Sequence, residues 1–196
     1  MMRRVGTIAA LLFAPLPVLA HAGGNVRNVT GGFAAGFMHP LSGWDHLLAM
    51  VAVALWAGIA GGAARVALPA AFLGGMAVGG LLGAAQFSFL MVEAGVFASV
   101  LVLGVLVALA VRPPLVAAAG LLVMFGLLHG LAHRLEMEAG TSGPSYAVGF
   151  LTATALLHGI GLGSSARASS GRRGRVLVCL AGGMMACTAL ALVRLG

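Results

Sequence analysis

Apolar runs of about twenty residues follow one another along this chain, separated by short breaks of glycine, proline, arginine and serine. A transmembrane helix needs roughly 20 such residues. The runs predict spans near 40–61, 67–86, 88–111, 113–133, 145–166 and 175–195, with the turn near Gln86 to Ser88 the least sharply marked. The expected fold is an all-α, polytopic transmembrane helix bundle of about six spans. Ahead of it, "MMRRVGTIAALLFAPLPVLAHAGG" sets Arg3 and Arg4 before an apolar run that ends in small residues, the layout of a secretory signal peptide. Residues 1–20 are read as that signal and 21–196 as the six-span domain. Cleavage after Ala20 would leave His21 as the new N-terminus, its amine and imidazole both able to grip a metal, whereas cleavage after Ala22 would discard it.

Composition supports the membrane reading: 61% of residues are hydrophobic and 8% charged, against about 25% charged in soluble domains. The net charge of +7 rests on eleven basic residues, all arginine, facing four acids. No basic stripe interleaved with aromatics accompanies that charge, so a nucleic-acid partner is not expected. A positive-inside pattern accounts for it better. The loops after spans one, three and five hold Arg65, Arg112, Arg167, Arg172, Arg173 and Arg175 without an acid, while Arg27, Arg134 and Arg194 share the other side with the acids. The expected location is a bacterial inner membrane with both termini periplasmic. Trp44 and Tyr146 are expected in the outer aromatic belt, and "SSARASSGRRGR" as a cytoplasmic loop. Glycines 75, 79 and 83 form a small-residue stripe suited to close helix packing. "LLHG" occurs twice, at 127–130 and 156–159, without a repeat of domain size. Cys179 and Cys187 lie about 12 Å apart along one helix, too far for a disulfide, and are read as core thiols.

Against this background "HPLSGWDHLLAM" at 39–50 is unusual. Pro40 suits the first turn of a helix, which sets Asp45 and His46 five or six residues inside, roughly 8 Å below the outer edge, with His39 at the rim. Glu93 is expected at a similar depth in span three. His129 and His133 in "LLHGLAHRLEME" are four apart on one helix face, with Glu136 on the same side at the exit. Glu138 reads as a solvated loop charge. Inserting an aspartate at a helix centre costs roughly 2.5–3.5 kcal/mol, so these groups need a common partner. A divalent cation held by imidazole and carboxylate supplies one, and the lack of cysteine in the layer argues against Cu(I). His158, about twelve residues below Tyr146, is the candidate next station inward, although a hydrogen-bonded core histidine would fit that position as well.

These residues carry a resemblance. "HPLSGWDHLLAMVAVALWA" resembles the first signature of the HupE/UreJ family, a His-Pro pair followed by G-x-D-H, and "LHGLAHRLE" resembles its second, H-G-x-A-H-x-x-E. The likeness spans the whole mature chain. It implies a nickel or cobalt permease, not an enzyme, indirectly linked to hydrogenase or urease maturation, and it assigns His39, Asp45, His46, Glu93, His133 and Glu136 to metal handling. Arg134 departs from the pattern, because relatives commonly have glycine there. A cation beside His133 weakens metal affinity unless it points to water or pairs with Glu138.

The resulting expectation is capture of Ni2+, or Co2+, with Zn2+ less favoured, in the outer layer and passage by way of His158 toward the arginine-rich face. No G-x-x-x-x-G-K-[ST] loop couples the chain to ATP, and no catalytic residue or resident cofactor is assigned. Two rival readings use the same residues: an intramembrane zinc hydrolase, with Ser42, Asp45, His46, His129 and His133 around an activated water, and an outward-facing metal sensor or assembly protein. Expected partners are the divalent ion and the bilayer, with a homo-oligomer left open.

Overall fold

The computed structural model describes residues 29–85, 91–138, 140–168 and 171–195. The signal segment with His21, the turn at Gln86 to Ser88 and Arg27 lie outside these. Seven helices account for nearly all of the described chain, and it contains no strand. They are α1 (Val29–Ser42), α2 (Trp44–Ala60), α3 (Ala64–Ala84), α4 (Val92–Ala108), α5 (Leu115–Leu135), α6 (Gly143–Ala168) and α7 (Arg172–Leu195). α3, α5, α6 and α7 are each long and apolar enough to cross a membrane. α4 has 17 residues, about 26 Å of helix. The protein is a multi-pass helical membrane protein.

The first expected span is broken. Residues 40–61 do not form one helix starting at Pro40: a helix precedes them, Pro40 lies inside it, and a second helix begins at Trp44. The two helices meet at 79°. The local chemistry explains the break, since proline has no N–H to continue the ladder and Gly43 is extended, at φ −95° and ψ 120°. The Ser42 hydroxyl donates to the His39 carbonyl at 2.7 Å, and the Leu47 N–H returns to the Gly43 carbonyl at 2.9 Å. Asp45 and His46 consequently sit in the first turn of α2 and not five or six residues inside a helix opened by Pro40.

The helices associate in glycine-mediated pairs. α3 and α5 run side by side with reciprocal close approaches: Gly75 and Gly79 lie against the backbone of Val123 and Leu127, and Gly126 and Gly130 against that of Phe72 and Met76. The stripe expected on α3 thus meets a matching one on α5. Gly36 and Gly149 join α1 to α6, and Gly104 and Gly182 join α4 to α7. Within lipid there is no hydrophobic drive between helices, so close van der Waals contact of this kind holds the bundle. α2 runs through the middle, touching α1, α3, α4, α6 and α7, and buries Met50, Val53 and Trp56 completely. The Trp56 indole donates to the Val111 carbonyl at 2.8 Å, tying the α4–α5 connection to this central helix.

Three other expectations are corrected. Tyr146 is 5% exposed and faces inward, so only Trp44 occupies an aromatic-belt position. The stretch read as a cytoplasmic loop is mostly helical: α6 runs to Ala168 and α7 starts at Arg172, and within α6 Ser164 and Arg167 hydrogen-bond to the carbonyls of Ile160 and Gly163 one turn back. Cys187 is exposed on the bundle surface rather than buried in its core, and both thiols are free.

A single added methyl separates close packing from open space. Gly130→Ala, whose Cβ would collide with the Met76 carbonyl, should destabilise the bundle by about 1–3 kcal/mol in thermal unfolding in detergent. Gly74→Ala, with nothing within 4 Å, should be near neutral, and equal effects would refute the paired-glycine account.

Candidate metal centre

The bend between α1 and α2 folds the last turn of α1 back over the first turn of α2. The end of α5 comes up beside both. In this corner the side chains of His39, His46, His133 and Glu136 each present one ligand atom, and the four atoms lie within 4.8 Å of one another. An ion with bonds of about 2.1 Å sets its donors no more than about 4.2 Å apart, so the set is within an ångström of closing on one. Three imidazoles and one carboxylate form a borderline-hard ligand set, suited to Ni, Co or Zn.

The four ligands are held differently. Asp45 lies beside the far side of His46: its Oδ1 is 3.1 Å from Nδ1 and accepts the His46 backbone N–H at 2.8 Å. That leaves Nε2 toward the cluster, 3.6 Å from Glu136 Oε2; neither ring nitrogen is in hydrogen-bonding geometry. The His39 ring hydrogen-bonds to the same Glu136 oxygen at 2.8 Å. His133 is fully buried with both ring nitrogens unpartnered, its ring stacked on Phe150 at 4.7 Å and edge-on to His46 at 4.3 Å. Buried polar atoms without partners cost about 1–3 kcal/mol each, and a shared cation would relieve that cost. Burial pushes the Glu136 carboxyl up, but the hydrogen bond with His39 and the proximity of His46 outweigh it and hold the pKa at about 2, below its ordinary 4.5.

One turn deeper on α5, His129 is also fully buried. The Ser99 hydroxyl donates its proton to the Val96 carbonyl at 2.6 Å, so at the 2.8 Å contact with His129 the Nε2–H donates to the Ser99 oxygen. The unpartnered Nδ1 is left with its lone pair bare. His46 and His129 rings stand 5.1 Å apart. Phe72 lies between levels, its ring 5.4 Å from His129 and 5.7 Å from His158. His158 is buried with neither nitrogen partnered.

Of the residues expected in the outer layer, His39, His46, His133 and Glu136 converge, with Asp45 behind His46 and His129 one ring further in. Glu93 does not join them: it is exposed in the first turn of α4. Arg134 turns away, its stem packed over Gly83 of α3 and its Nη1 4.0 Å from the Met137 sulfur; among the described residues it makes no ion pair with Glu138. The sequence reading missed Tyr146 and Phe150, whose rings wall the cluster against His39 and His133. Their spacing of four on α6 was the available signal. Ser99 had none.

A bundle of membrane-spanning helices that converges buried imidazoles and a carboxylate just inside one end defines a multi-pass membrane protein with a candidate metal site. Comparison with known proteins is consistent with that class. Residues 9–192 match the family described as HupE / UreJ protein. Protein HupE of Rhizobium leguminosarum bv. viciae is 41% identical over 187 residues, covering 95% of each chain. The chain belongs to the HupE/UreJ family. No solved structure matches it.

Two measurements test the geometry. Asp45→Asn should weaken Ni2+ binding to the purified protein about 10- to 100-fold in calorimetric titration without loss of fold. Glu136 keeps its charge until pH falls toward about 2, so metal release in milder acid should come from protons competing for the imidazole nitrogens. The expected signature is an affinity that falls as pH is lowered, because protons compete with the ion for the ligand atoms; affinity independent of pH would rule these groups out as ligands.

Proposed function

We propose that the chain is a permease that imports Ni2+, with Co2+ as the nearest competitor, from the periplasm across the bacterial inner membrane to supply hydrogenase or urease maturation. The observation that carries this reading is the convergence of His39, His46, His133 and Glu136 within 4.8 Å in a member of the HupE/UreJ family. The substrate ion exchanges part of its water for these ligands at the outer end, with Asp45 orienting His46. It then meets the bare Nδ1 of His129 and, past Phe72, the unpartnered ring of His158. No carboxylate follows, so the inward half offers no second strong trap.

Orientation follows from the arginines, which crowd the end of the bundle away from the imidazoles and on the positive-inside rule face the cytoplasm. The membrane potential then drives entry: at roughly 2.3 kcal/mol per charge per 100 mV, a divalent ion gains about 4.6 kcal/mol, equivalent to more than a thousandfold accumulation. A signal peptide removed before His21 would add that residue to the outer mouth.

The test is accumulation of radioactive nickel by cells lacking their own nickel uptake, with protein levels matched in the membrane. His46→Ala should lower uptake at least tenfold, on the order of the loss seen when metal-site residues are removed, and cobalt should compete better than zinc. His158→Ala should bind Ni2+ normally in purified form yet transport it slowly. Uptake by the unmodified chain no greater than in empty cells would refute the permease reading.

A further inference from the structure

At the end of the bundle opposite the imidazoles, a cavity of about 210 Å3 opens between the end of α2, the start of α3, the α4–α5 connection and α7. Arg65, Arg112 and Arg175 line it, and no carboxylate does. A neighbouring cavity of about 230 Å3 shares Arg112, Ala60 and Gly61 with the first, so one guanidinium serves both.

These three cations have no counter-charge within reach. Among the described residues none of them forms an ion pair. The fold shows why: Asp45 and Glu93 open α2 and α4, while Glu136 and Glu138 follow α5, so all four acids stand at the other end. The length of α2 alone, 17 residues, separates the two ends by about 25 Å. Helix ends do not make up the difference. α2 and α4 finish here and α3 and α7 begin here, and their partial charges of about half a unit each cancel. Arg65 and Arg175 moreover occupy the first turns of α3 and α7, where the helix dipole disfavours a cation.

We propose that this cavity binds a phosphate-bearing anion. Guanidinium forks match phosphate oxygens two at a time, and the side chains around them, Ile59 and Val178 among them, are apolar enough to seat a carbon backbone. The volume, below the roughly 300 Å3 of a drug-sized ligand site, suits a phosphodiester headgroup or a free phosphate. The inner leaflet supplies the first as anionic phospholipid, and the solution beside it supplies the second.

Native mass spectrometry of the full-length protein, titrated in detergent with phosphatidylglycerol, phosphatidylcholine or inorganic phosphate, separates the outcomes. R65Q/R175Q should bind phosphatidylglycerol about thirtyfold more weakly than the unmodified chain, at roughly 1 kcal/mol per arginine. R172Q/R173Q removes the same charge from residues that do not line the cavity and should bind as the unmodified chain does. Displacement of the lipid by millimolar inorganic phosphate would identify free phosphate as a ligand of the same site; no displacement would identify the lipid alone. Should the first double variant not fold, R175Q by itself should weaken binding about fivefold. Equal losses in both double variants, undiminished binding by R175Q, or equal binding of the two lipids would overturn the proposal.

Discussion

Imidazoles and carboxylates that give up water inside an apolar bundle must be re-satisfied by one another or by an ion, and this constraint organises the outer end of the molecule. His133 offers the clearest case. It is fully buried, packed between aromatic rings, and neither nitrogen finds a partner. A cation placed among His133, His39, His46 and Glu136 would supply that partner. The bend at Pro40 and Gly43 lets His39 of α1 and His46 of α2 face one site, with Asp45 Oδ1 beside the Nδ1 of His46.

Glycine sets how finely that corner can be built. Side chains larger than hydrogen at Gly126 or Gly130 would push α5 away from α3, and His129 and His133 ride on the same helix one turn and two turns along. The spacing of backbones therefore fixes the position of imidazoles whose own chemistry plays no part in the packing. A chain with 31 glycines among 196 residues uses a good share of them in this way, and the exposed ones, such as Gly74 and Gly120, mark surfaces that meet no other helix.

Much of this was legible in the sequence. Apolar run lengths located the long helices to within a few residues, and the helical spacing of His129, His133 and Glu136 put them on one face. What escaped was long-range. Pro40 can open a helix or lie within one, and the choice here goes with the packing of α1 against α6, so neither α1 nor the start of α2 at Trp44 follows from the apolar pattern. Glu93 shares the depth of the cluster but not its side of the bundle, which depends on how α4 is rotated against α7. Tyr146 looked like an interfacial anchor because its position along α6 is right for one; its inward direction comes from Gly36 seating against its backbone.

The pairing of helices has a mechanical consequence. α1 with α6, α3 with α5, and α4 with α7 are each locked by interdigitated backbones, leaving α2 as an axle between three stiff struts. His39 belongs to the first strut, His133 and Glu136 to the second, and His46 to the axle itself. The ligand set thus straddles the seams of the assembly and lies within none of its rigid parts. A slip of about an ångström along any one seam would undo it, so any grip this cluster has on an ion would vary with the register of the struts.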